Sequence, residues 1–93
     1  MLREAAPGAK VILFGSYARG DPSPQSDLDF LIVQPEVKAV RAEMVRLRDV
    51  LRPLRIPVDV HVTDAANYRK WSGTPGTIPY VAAREGRILD AVT

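Results

Sequence analysis

Apolar and polar positions along the chain divide it into short strands and one clear helix. Lys10–Phe14 is an apolar run rich in β-branched residues, which predicts a buried strand. Gly15-Ser16 then opens a short helical turn through Ala18-Arg19, stopped by Gly20, and Asp21–Ser26, with two prolines and two serines, predicts a surface loop. Asp27–Val33 reads as a second strand, with Asp27, Asp29, Leu31 and Val33 on one face and Leu28, Phe30 and Ile32 on the other. Pro35 suits the first position of a helix and Glu36 its positive end. Val37, Val40, Met44, Leu47 and Leu51 are spaced to form one apolar stripe, and the helix should end near Pro53.

Val58–Val62 alternates again, with three valines on one face and Asp59 and His61 on the other. Beyond Thr63 the pattern weakens. Asp64 is placed to cap a short helix through Trp71, Gly73–Thr77 reads as loop, and Pro79–Glu85 as a helix ended by Gly86. Arg87–Ala91 is an edge strand or a frayed tail, and Leu2–Ala6 the last turn of an N-terminal helix before Pro7-Gly8. The sum is an α/β (α+β) architecture, a small mixed sheet with helices packed on one face.

Length and composition narrow the function classes. Ninety-three residues accommodate one domain, residues 1–93, with one modest core. The 46% hydrophobic and 26% charged content excludes a disordered or collagen-like chain. No apolar run is long enough for a membrane span or a signal peptide. The lack of cysteine removes disulfides, thiol nucleophiles and thiolate metal sites, and fits a cytoplasmic location. A net charge of +2 is too weak to mark a nucleic-acid binder on charge alone, and nucleic acid is not the expected partner.

Three carboxylates change the picture. Asp27 and Asp29 project from one face of a strand, and Asp59 lies out of phase with the valines of the next. If those strands are neighbours, a spacing of about 4.8 Å brings all three together. Carboxylates that close repel one another, and divalent cations relieve the repulsion. Mg²⁺ is commonly held by one or two carboxylates plus substrate phosphates. Two such ions about 4 Å apart can activate an attacking hydroxyl and neutralise a leaving phosphate. Gly15-Ser16, at the end of the first strand, is the second element. Its glycine lets backbone amides approach an anion, Ser16 adds a hydroxyl, and Arg19 a guanidinium suited to phosphate.

Gly15-Ser16-Tyr17-Ala18-Arg19-Gly20, followed by Ser26-Asp27-Leu28-Asp29-Phe30 and by Val58-Asp59-Val60, resembles the signature of the minimal nucleotidyltransferases (MNT) of the DNA polymerase β-like superfamily. Arg84-Glu85-Gly86-Arg87-Ile88-Leu89 is similar to that family's usual C-terminal ending, and the N-terminus is abbreviated relative to it. The resemblance implies a polymerase β-like fold and transfer of a nucleoside monophosphate from ATP or another NTP to an acceptor hydroxyl. It implies that Gly15, Ser16 and Arg19 bind the phosphates, and that Asp27, Asp29 and Asp59 are catalytic and ligate a two-metal Mg²⁺ site. It further implies an antitoxin paired with a HEPN-domain protein encoded nearby, able to adenylylate a tyrosine on that toxin. The alternative is a nucleotide-binding module that neutralises its partner by occlusion. A homo-oligomer is left open by the shortened N-terminus.

Other residues carry less. His61 shares the Asp59 face and is either a metal or phosphate contact or a structural histidine. Arg41, Arg48, Arg52 and Arg55 form a stripe along the long helix, either a solvated face or a surface for an acidic partner or RNA backbone. Tyr68, Trp71 and Tyr80 are too scattered for a stacking platform, and Tyr17 could border the nucleotide. With the three aspartates set aside, thirteen basic residues face eight acidic ones, a balance of +5, of which residues 36–55 hold +3.

Overall fold

The computed structural model describes residues 8–20, 27–55 and 57–89, with the side chain of Leu54 excepted. The expected N-terminal helical turn at 2–6, the loop at 21–26 and the tail at 90–93 lie outside the described residues. Four strands form one sheet: β1 (Lys10–Phe14), β2 (Leu28–Gln34), β3 (Val58–Asp64) and β4 (Arg87–Ile88), in the order β3-β2-β1-β4. β1 runs antiparallel to both of its neighbours, while β2 and β3 are parallel. Parallel pairing requires a crossover connection, and α2 (Val40–Leu51) supplies it. The remaining helices are α1 (Ser16–Arg19), α3 (Ala65–Trp71) and α4 (Ile78–Glu85), and a single 3₁₀ turn, Arg52–Leu54, follows α2. The mixed α+β architecture expected from the sequence is the one observed. Among the described residues no helix is long and apolar enough to cross a membrane.

The placement of the helices needs correcting. They cover both faces of the sheet, not one. On the first face Phe30, Ile32, Val60 and Val62 pack under Leu47 and Leu51 of α2. On the second, Ile12, Phe14, Leu31 and Val33 pack with Ala82 of α4, joined by Ala65 and Tyr68 of α3. The reason lies in β2. Its odd-numbered residues Leu31 and Val33 are as apolar as its even-numbered Phe30 and Ile32, so both sides must be kept from water.

α2 starts later than Pro35. Residues 35–39 turn the chain off the sheet, and the helix begins at Val40 with Ala39 as an uncapped N-terminal residue. Val37 reaches the first-face core from this bend, whereas Val40, expected in the buried stripe, is exposed. Local rules hold elsewhere. The Asp64 carboxylate accepts the Asn67 N–H at 2.7 Å and starts α3 as a side-chain cap should. Thr77 does the same for α4. Gly86 ends α4 where a side chain would overlap both the Ala82 carbonyl and Ile12.

Candidate active site

β1 ends at Phe14 and the chain turns at Gly15 into the single turn of α1. Gly15 has φ 84° and ψ −159°, a combination open essentially to glycine alone. Space imposes the same choice. A Cβ at Gly15 would overlap a carboxylate oxygen of Asp29 and stand 3.2 Å from its Cγ. The two elements singled out in the sequence, Gly-Ser and Asp-x-Asp, are therefore in direct contact. α1 closes with the Arg19 N–H on the Gly15 carbonyl at 3.1 Å, buries Ala18, and stops at Gly20 in the left-handed conformation.

Strand register organises the acidic residues. Asp29 stands opposite Phe14 across the antiparallel pair and opposite Asp59 across the parallel one. Leu31 and His61 are paired two residues further on, so Asp59 and His61 lie on the face that carries Asp29. Asp27 sits just before β2, where the Leu28 N–H donates to the Pro57 carbonyl at 3.0 Å and ties this corner to the start of β3. Asp27, Asp29 and Asp59 are all half-buried.

The electrostatics follow from that placement. Burial pushes the Asp29 carboxyl above its ordinary range, and the charges of Asp59 and Asp27 push it further. His61 and Arg19 pull in the opposite direction without cancelling the rise. The His61 ring lies tilted against Phe14, with centroids 5.8 Å apart. Among the described residues, no three acidic or histidine side chains stand in an arrangement that would hold a metal ion by themselves. The donor chemistry nevertheless fits Mg²⁺. It is all oxygen, it is short of positive charge, and Mg²⁺ normally completes its shell with water and substrate phosphates.

Two features were not readable from sequence. Arg19 donates to Glu85 of α4 at 2.9 Å, an exposed ion pair between residues 66 positions apart. A cavity of about 470 Å³ opens beside β3, lined by Leu31, His61, Asn67, Trp71, Ile78 and Pro79 among others. Hydrophobic periodicity does not mark it, because its walls come from β2, β3, α2, α3 and the start of α4. The aromatic residues indeed do not form one platform. Tyr68 packs into the second-face core, Trp71 lines the cavity, and Tyr80 lies under the guanidinium of Arg84. Tyr17 is exposed next to Ser16. In the arginine stripe, Arg52 is engaged by Asp49 at 2.6 Å.

Over residues 1–78 the sequence matches the family described as the nucleotidyltransferase domain. Over 24 residues it is 71% identical to a protein of Methanocaldococcus jannaschii named as a putative protein adenylyltransferase. The aligned stretch is 26% of this chain and 24% of that protein, so the match spans about a quarter of the curated relative.

Proposed function

The chain belongs to the nucleotidyltransferase domain family, and from that premise we propose that it transfers AMP from ATP to a tyrosine hydroxyl on a partner protein. The partner in this reading is a HEPN-domain toxin encoded nearby, and the chain acts as its antitoxin. The observation that carries the reading is the contact between Gly15 and the Asp29 carboxylate. It sets a phosphate-accommodating turn directly against an anionic centre that is short of positive charge. The name of the archaeal relative, a protein adenylyltransferase, supports AMP and a protein acceptor.

In this mechanism the backbone at Gly15, the Ser16 hydroxyl and the Arg19 guanidinium hold the β- and γ-phosphates. Arg19 leaves Glu85 to do so, an exchange that costs little because the pair is exposed. Asp27, Asp29 and Asp59 would hold two Mg²⁺ ions. When bound, the ions supply charge neutralisation on the phosphates and lower the pKa of the attacking hydroxyl. The acceptor oxygen bonds to the α-phosphorus as the bridging P–O bond to the β-phosphate breaks. Pyrophosphate leaves with that electron pair, and the acceptor proton passes to Asp59 and on to water. Most of the acceleration comes from positioning and electrostatics, as in phosphoryl transfer generally.

The direct test is incubation with ATP labelled at the α-phosphate, Mg²⁺ and the folded product of the neighbouring reading frame. Label should appear on that protein and on one of its tyrosines. Absence of label, with the neighbour verified to bind, would overturn the catalytic reading. Protection of cells by an Asp27→Asn/Asp29→Asn double variant would instead favour neutralisation by occlusion.

A further inference from the structure

We infer that the outer edge of β3 is a docking strip for an extended segment of a partner polypeptide, which adds to the sheet as a further strand. The segment is acidic where it meets Arg48 and Arg52, and bulky and apolar where it meets Met44 and Trp71. None of Gly15, Ser16, Arg19, Asp27, Asp29 and Asp59 lines the strip, so it is independent of the transfer chemistry.

β3 is the outermost strand on its side of the sheet, and among the described residues no strand pairs with its outer edge. A free edge presents a row of unpaired N–H and C=O groups and is a template for another chain. The opposite edge is blunted, since β4 has two residues and one is an arginine. β3 has seven residues, roughly 20 Å of strand, with neither proline nor lysine among them. The cavity of about 470 Å³ wraps this edge. Met44 and Val62 in its walls belong to the first face, Leu31 and His61 to the second. The backbone of the sheet separates the two faces, so one cavity touches both only around a free edge. Trp71, Ile78 and Pro79 supply further apolar surface there.

A second cavity, of about 220 Å³, lies at the other end of β3 and is lined by Arg48, Leu51, Arg52 and Val58. Met44, Arg48 and Arg52 follow one another at helical i, i+4 spacing, so they share one flank of α2 and of the turn that ends it. The two cavities therefore lie along the same edge. No acidic residue lines either of them, and Arg48 has no ion-pair partner among the described residues. A strand added about 4.8 Å from β3 sends alternate side chains to the α2 side. Near Val58 they meet two guanidinium groups, which favour carboxylates. Near Val62 they meet Met44, and those on the second face meet Trp71 and Ile78. Main-chain hydrogen bonds supply affinity in such docking, and the side-chain sites supply specificity. A second copy of this chain is a poorer occupant. Two-fold pairing of β3 with itself sets the α2 flanks side by side and brings Arg41, Arg48 and Arg52 of each copy together. An RNA backbone would find Arg48 and Arg52, but no Lys or Arg lines the Met44–Trp71 end.

The probes are the peptide Glu-Thr-Glu-Thr-Leu-Phe-Leu and its reversed sequence, for parallel and antiparallel addition. Trp71 is the chain's single tryptophan and is 39% exposed, so its emission reports occupancy without turnover. One of the two peptides should change that emission saturably and slow hydrogen exchange of the β3 amides. N-methylation of alternate peptide amides, in the frame that faces β3, should weaken it about 10-fold or more. Lysine in place of both glutamates should weaken it by a similar factor. The Arg48→Glu/Arg52→Glu double variant should invert that preference and bind the lysine peptide more tightly, which also shows that the variant is folded. No saturable binding of either peptide would overturn the inference. So would binding indifferent to methylation and to peptide charge, which is apolar adsorption. Protection of the β3 amides that rises with protein concentration alone, with a dimer in sedimentation, would assign the edge to a second copy. Tighter binding of a short oligouridylate than of either peptide, lost in the arginine double variant, would assign the strip to RNA; either result overturns the inference.

Discussion

The two faces of the sheet are made by the same strands and do different work. On the face under α2, Phe30, Ile32, Val60 and Val62 are nearly inaccessible and meet only apolar partners such as Leu47 and Leu51. One residue out of phase, the same β2 and β3 present Asp29, Asp59 and His61, and only further along does the second face become a core around Leu31 and Val33. The strand's two-residue period lets stability and chemistry share one backbone without sharing side chains. The second face bears the cost. Asp29 lies half-buried beside other carboxylates, where burial and their charges raise its pKa and make its ionised form unfavourable for folding.

Variants on the two faces should therefore separate. The largest effect on folding is expected for Leu47→Ala on the first face, at a fully buried site, with a loss of about 2–5 kcal/mol in denaturant unfolding. Activity per folded molecule should hardly change; a comparable loss of turnover would break the division of labour. Asp29→Asn should do the reverse. Transfer of labelled AMP should fall beyond the roughly 10–100-fold typical of residues that only support a metal ligand. The melting temperature at neutral pH should stay level or rise, because an unfavourable charge is gone. A fall in melting temperature would show that Asp29 is structural. Gly15→Ala tests the seam between the two elements. The backbone conformation alone costs a non-glycine residue about 1–3 kcal/mol, and the added methyl must displace the Asp29 carboxylate, so stability and transfer should both drop.

The smallest effects concern pH, and here the faces oppose each other. On the α2 side the Glu43 carboxylate accepts hydrogen bonds from Arg46 and from the buried Gln34 amide, which pull it down to about 2. Its folded value is below the unfolded one, so its contribution is complete above pH 4.5 and is lost as pH falls toward 2. Asp29 is raised above 3.8, so it favours the folded state while protonated in acid, and that advantage is lost as pH rises from 3.8 through its folded value. Chemical unfolding as a function of pH should show Glu43→Gln weakening the protein mainly above pH 4.5 and Asp29→Asn strengthening it in the range where Asp29 is ionised. The same sign for both would mean that the carboxylates on the second face are already compensated.

Much of the local structure was legible in residue chemistry. Gly15 and Gly20 bracket α1, Asp64 starts α3, Gly86 ends α4, and the alternation around Asp29 and Asp59 placed both carboxylates on one side of their strands. What was missed is what local rules do not address. Pro35 and Glu36 satisfy every preference for a helix start, yet the chain needs residues 35–39 to climb off the sheet before α2 can lie over it. The weakly patterned stretch after Thr63 announced its two short helices but not that they cover the second face, because short helices against an already apolar strand need only Ala65, Tyr68 and Ala82 to dock.

By itself the sequence determined which residues are candidates for the chemistry and how each is aimed within its own strand or turn, since side-chain period, glycine freedom and capping act over a few residues. Only the tertiary structure decided that Asp29 lies level with Asp59, that its carboxylate fills the space left by Gly15, that Glu85 reaches Arg19, and that Trp71, Ile78 and His61 enclose one cavity. Register, close approach and enclosure depend on how distant segments share the same core, and no window of neighbouring residues contains that information.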